Sequence, residues 1–207
     1  MSSRFDLNNK YNYTKSLKLD NTIKIKNLMI DKIDNHPEIK RLMAYTTQTP
    51  LSKVGITYDN KKVQQPDITE SLTVSGIQNP YECLIGYPFC ESMINEAYPL
   101  MFVYCPRSIL GTNQLGTNIY EIDIIVDYTQ NKLKTPLRGE RGIEILARIA
   151  DIFDGYTLQG EESEGIGNIT FSVEGDVSIS RLSKNTDIIV YSMNIQTKVS
   201  NARVYDV

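Results

Sequence analysis

The chain has 207 residues, 41% of them hydrophobic and 23% charged, enough apolar mass for one domain-sized core. No apolar run approaches the ~20 residues that span a bilayer. The start Met1-Ser-Ser-Arg-Phe-Asp has no basic segment followed by an apolar one, so a secretory leader is not expected. The net charge of −3 conceals a polarity: residues 1–62 carry 12 basic and 6 acidic side chains, residues 63–207 carry 10 and 19. Such a chain can set its basic part against an acidic surface on a neighbour, although its lysines are too dispersed for a nucleic-acid patch.

Residues 1–19 are rich in Asn, Lys, Ser and Tyr without sustained periodicity, and read as an N-terminal arm. Tyr11 and Tyr13 give that arm something to bury on a partner. Asp20 or Asn21 caps a first helix, with Ile25, Leu28, Met29 and Ile33 on one face and Lys24, Lys26 and Lys32 between them. Asn35-His36-Pro37 ends it. Pro37 suits the first position of a second helix that runs to about Tyr45 on Ile39, Leu42 and Met43. Residues 46–98 form a long irregular insertion punctuated by Pro50, Pro66, Pro80 and Pro88. Within it, alternation over Ser71–Ser75 is compatible with a strand.

The pattern changes at Leu100. Leu100–Cys105 reads as a buried strand and 111–118 as a turn. In the strand Ile119–Tyr128, Tyr120, Ile122, Ile124 and Val126 share one face, and Glu121, Asp123, Ile125 and Asp127 the other. Arg141–Phe153 carries a clear helical stripe of Ile143, Leu146, Ala147, Ala150 and Phe153 or Asp154, with Gly155 as its stop. Gly160–Gly167 is an acidic loop containing Glu161, Glu162 and Glu164. Strands follow over 169–173, 177–182 and 187–198, with turns at 174–176 and 183–186, and residues 200–207 form a tail. The expected fold class is α+β: an antiparallel or mixed sheet with helices packed on one face, a single domain over 20–207.

Chemistry is sparse. His36 is the lone histidine, lies in a linker between helices, and has no G-x-S-x-G partner motif. No phosphate-binding glycine loop occurs. Cys83, Cys90 and Cys105 fit no zinc spacing, and their odd count argues against a closed disulfide framework, as in a reducing cytosol. Asp123 and Asp127, with Glu140 or Glu144, can be read as Mg²⁺ ligands of a nuclease, but Lys132 and Lys134 lie beyond the strand end, and a solvated polar face explains the carboxylates as well. Cations at a helix N-terminus oppose the macrodipole, so Arg138 and Arg141 are expected to point outward, to solvent or to a carboxylate of a neighbouring chain.

The strand Tyr120-Glu-Ile-Asp-Ile-Ile-Val-Asp-Tyr128, the helix Arg141-Gly-Ile-Glu-Ile-Leu-Ala-Arg-Ile-Ala-Asp-Ile-Phe153 with Asp154-Gly155-Tyr156, and the closing strands through Asp187–Gln196 together resemble the tail terminator, or tail-completion, family of the tailed-bacteriophage neck. The resemblance covers about half the chain. It implies a structural virion protein without catalysis or cofactor, assembled in the host cytoplasm. Copies of it close into a ring, a hexamer in this family, that caps the tail tube, meets a sheath protein and a head connector or stopper, and passes DNA through its bore. Under that reading Arg138, Arg141, Lys24, Lys26, Lys32, Tyr11 and Tyr13 are partner contacts, and Glu161, Glu162, Glu164, Asp123 and Asp127 line the lumen. A different connector, stopper or baseplate role, a virion-assembly chaperone, and the Mg²⁺ nuclease are the alternatives.

Overall fold

The computed structural model describes residues 20–51, 57–58, 61–62, 68–73, 82–88, 99–110, 116–134, 139–159, 166, 168–182 and 185–200. The arm, the acidic stretch 160–165 and the tail after 200 lie outside them. Helix α1 spans 20–34, and α2 Pro37–Ala44. The insertion contributes the two-residue strands β1 (Thr57–Tyr58), β2 (Lys61–Lys62) and β3 (Leu84–Ile85). Then come β4 (Leu100–Leu110), β5 (Gly116–Asp127), the single turn α3 (Tyr128–Asn131), α4 (Arg141–Phe153), β6 (Asn168–Leu182) and β7 (Asn185–Ser200).

The main sheet has the order β3-β4-β5-β7-β6, antiparallel except for the parallel β3–β4 pair; β1 and β2 form a separate hairpin. The fold is therefore α+β with a mixed sheet. Residues 155–158 extend it along the outer side of β6, where Leu158 N–H donates to the Ile169 carbonyl at 2.9 Å and Phe171 N–H to the Tyr156 carbonyl at 2.8 Å.

Several strand boundaries differ from expectation, among them the start of β5 at Gly116, inside the expected turn, and its end at Asp127 ahead of α3. β4 continues through Pro106 because a register shift between Tyr104 and Arg107 places the proline at a bulge, where no ladder donor is needed. The turn expected at 174–176 is a bulge inside a continuous β6: the register shifts between Glu174 and Ser178, and Gly175 takes φ +85°, which an L side chain rarely adopts. The strand expected at Ser71–Ser75 is, among the described residues, only a bridge from Thr73 to Leu84.

One face of the sheet presents Met101, Val103, Tyr120, Ile122, Ile124, Tyr191, Met193, Ile195 and Phe171, all buried. Helices α1 and α4 cover this face. Ile25, Met29 and Ile33 recur at helical spacing and are buried from α1, and Ile145, Ile149 and Phe153 from α4. Burying each of these side chains is worth roughly 1.5–3 kcal/mol of transfer free energy. Phe153 meets the Phe171 ring at 5.4 Å between centroids, and Tyr156 meets it at 5.8 Å. At the far end Tyr120 Oη donates to the Thr22 carbonyl at 3.0 Å, which fixes the start of α1 over β5. The α4 stop behaves as its sequence requires: Asp154 N–H donates to the Ala150 carbonyl at 2.8 Å, and Gly155 takes φ +74°.

Candidate functional site

The second face of β5 is not the open polar surface the alternation suggests. Phe102, Ile125 and Asp123 are all buried there, with Asp123 only 6% exposed. Its carboxylate accepts from Tyr104 Oη at 2.9 Å and from Ser192 Oγ at 2.5 Å, both on flanking strands. Burial and this carboxylate hold the Tyr104 hydroxyl in its protonated, donating form, well above the usual phenol range. Asp127 caps α3, accepting from Thr129 N–H at 2.8 Å. Asp123 is thus withdrawn from any lumen, contrary to expectation, and Asp127 is engaged by its own chain.

The other carboxylates of the nuclease reading are dispersed. Glu140 accepts from Tyr191 Oη at 2.8 Å. Glu144 is 4% exposed and pairs with Arg148 at 2.5 Å, which also reaches Glu38 at 2.6 Å. Among the described residues no three His, Cys, Asp or Glu side chains converge to hold an ion.

The basic candidates divide. Arg141 is fully buried and turns inward, which corrects the expectation of an outward contact. Its Nη1 donates to the carbonyls of Leu42 (2.5 Å) and Tyr45 (2.6 Å), its Nη2 to Thr47 (2.6 Å), and its Nε to Gln130 (2.8 Å). The cation sits on the carbonyl end of α2, where the helix dipole is negative and the last carbonyls lack intrahelical donors, so the objection to a cation at the start of α4 is answered by the end of α2. Burial pulls its pKa down to about 10. Lys26 donates to the Gly86 carbonyl at 2.6 Å, and Lys32 lies 4.5 Å from the centroid of the Tyr156 ring. Lys24 is exposed. Arg138, Tyr11, Tyr13, Glu161, Glu162 and Glu164 lie outside the described residues.

Two features had no local sequence signal. A groove of about 810 Å³ runs between α1 and α4, with Leu28, Ile152 and Ile166 on its floor and Lys24, Asp31 and Lys32 on its rim. At its end sits His36, which does more than link two helices: Nδ1 accepts from Ile39 N–H at 3.3 Å and caps α2. That role requires an unprotonated Nδ1. Burial lowers the His36 pKa below 6.5, the Arg148 cation acts in the same direction, and Glu38 and Asp151 oppose them. The unfolded chain therefore binds the proton more readily. The cap's contribution is complete above the unfolded value and is lost as pH falls below it. Between about pH 7 and pH 5 the unfolding free energy should fall. Urea midpoints across that range should show a flatter slope for His36→Asn, which keeps a capping oxygen without titrating; an unchanged slope refutes the assignment.

No family model matches this chain, and no curated protein matches it. Among the described residues no helix is long and apolar enough to cross a membrane.

Proposed function

We propose that the protein is a structural component of a tailed-bacteriophage neck, a tail terminator whose copies close into a ring, cap the tail tube and join the tail to the head connector. The observation that carries this reading is an open sheet edge. Past residue 173, β6 is exposed through Val177–Arg181, with Val177 and Ile179 among the most exposed large apolar side chains of the described residues. Exposed edges of this kind invite another chain. The support is strengthened by where the charged groups go, since Arg141, Asp123, Glu140 and Glu144 are engaged in holding elements together. In the ring, heterologous contacts repeat by rotation until they close. Glu161, Glu162 and Glu164 face the bore and keep DNA from adhering, while the exposed Lys24 meets an acidic neighbouring ring or the sheath.

Light scattering across a concentration series, paired with mass spectrometry of purified virions, tests the reading. The expected result is an assembly of about six chains, present in virions at a few copies. A strict monomer absent from virions overturns it.

A further inference from the structure

We infer that the open stretch of β6 is completed by the N-terminal arm of a neighbouring copy, with residues 10–14 adding as a strand beside Val177–Arg181. The inference rests on the ring reading and names the contact that would close it.

Among the described residues the edge is half filled. Residues 155–158 pair with β6 at Ile169–Phe171, and the bulge around Gly175 then separates that occupied part from the rest. Beyond it Val177 is 42% and Ile179 57% exposed, and Ser178, Ser180 and Arg181 are exposed too. Ile179 points to the helix-bearing face, since it stands opposite the buried Tyr191, and strand alternation counted back from it puts Val177 on the same side at the end of the bulge. An added strand therefore meets two apolar side chains at i and i+2 on that face. The arm offers the matching pattern: Tyr11 and Tyr13, two apart, within the otherwise polar Lys10-Tyr-Asn-Tyr-Thr14. Aromatic residues beside β-branched ones are favoured cross-strand neighbours.

Geometry selects a neighbour's arm over the chain's own. The start of α1 is fixed over Asn118 and Tyr120, because Thr22 bonds both. Ile179 lies level with Ile124, four residues beyond Tyr120 and six beyond Asn118 along β5, and two strands across. That is about 13–20 Å along and 10 Å across the sheet. The seven residues from Tyr13 to Asp20 reach at most about 25 Å when fully extended. The straight path takes up about 16–22 Å of that reach, and α4, packed on Tyr191, lies over the sheet between its ends, so the detour around it exceeds what is left. The arm of an adjacent copy carries no such tether.

The test mixes two full-length chains, both with Cys90→Ser and Cys105→Ser, one carrying Tyr11→Cys and the other Ile179→Cys. Oxidation of the mixture should yield a disulfide-linked heterodimer that neither chain gives alone. Ile179 is exposed, so Ile179→Lys should leave the fold intact by circular dichroism yet weaken association about tenfold or more. Oligomers that form without the heterodimer overturn the arm contact and leave the ring standing. Monomers at every concentration, without the heterodimer, overturn both. A chain bearing both cysteines that links only to itself overturns the neighbour assignment.

Discussion

Replacing Arg141 with Met lowers the unfolding free energy by about 3 kcal/mol or more. Met fills most of the volume, but the carbonyls of Leu42, Tyr45, Thr47 and Gln130 lose their donor inside the protein. Each stranded acceptor costs roughly 1–3 kcal/mol unless water reaches it. Partial access of water at Tyr45 and Thr47 keeps the total below the simple sum. In a chain of this size 1 kcal/mol moves the melting temperature by about 2–4 °C, so a fall of about 6–12 °C is expected. Arg141→Lys recovers only part of the loss, because an ammonium cannot span the fork that the guanidinium fills. Urea denaturation of both variants beside the parent checks the ordering, and a Lys variant equal to the parent would show that charge alone suffices.

Gly142→Ala should also be destabilising, although Ala is favoured over Gly by about 1 kcal/mol within a helix. A Cβ at position 142 would lie 2.2 Å from Cδ2 and 2.4 Å from Cε2 of the Tyr191 ring. That ring has nowhere to go. It is 1% exposed, and its hydroxyl donates to Glu140 while accepting from Asn131 Nδ2 at 2.6 Å. Asn131 Oδ1 in turn accepts from Gly142 N–H at 3.2 Å, so any shift of the ring disturbs the start of α4. Overpacking at such a site costs about 1–3 kcal/mol, of which the helical gain offsets at most about 1 kcal/mol. Tyr191→Leu in the same chain should recover most of that cost, whereas Tyr191→Phe, which keeps the ring, should not. A double-mutant cycle on thermal melts separates the two.

The parts of the fold that could be read in the sequence are those written in local periodicity. The helical period of 141–153, closed by Gly155, defines α4, although the stripe read as Ile143, Leu146, Ala147, Ala150 and Phe153 is turned so that Ile145, Leu146, Ile149 and Phe153 are the buried ones; alternation over Tyr120–Val126 defines β5 and its buried face. Pro37 marks the start of α2. The failures are non-local. The polar reading of Asp123 assumed one wet face, but the apolar Phe102, Ile125 and Val190 bury that face as well, and hydroxyls from β4 and β7 satisfy the carboxylate. Arg141 looked like an outward cation because its carbonyl partners at 42, 45 and 47 are more than ninety residues away. Gly175 looked like a turn because a bulge and a turn ask the same backbone freedom of glycine. Of the described residues assigned to partners or lumen, only Lys24 keeps the exposed position expected of it; Lys26, Lys32, Asp123, Asp127 and Arg141 are engaged by their own chain.

The Arg141 clasp also bears on the order in which the chain can fold. The end of α2 emerges from the ribosome long before residue 141, and until that guanidinium arrives its carbonyls must stay in water. The covering face of α1 waits likewise for β5, since the Thr22 carbonyl is met by Tyr120 ninety-eight residues later. Such distant pairings impose a large loop-closure entropy before any contact repays it, which slows folding and leaves the N-terminal helices exposed during synthesis. Residues 1–98 made as a fragment should then remain without a cooperative melt, and the helices should gain protection from hydrogen exchange in one step with the sheet.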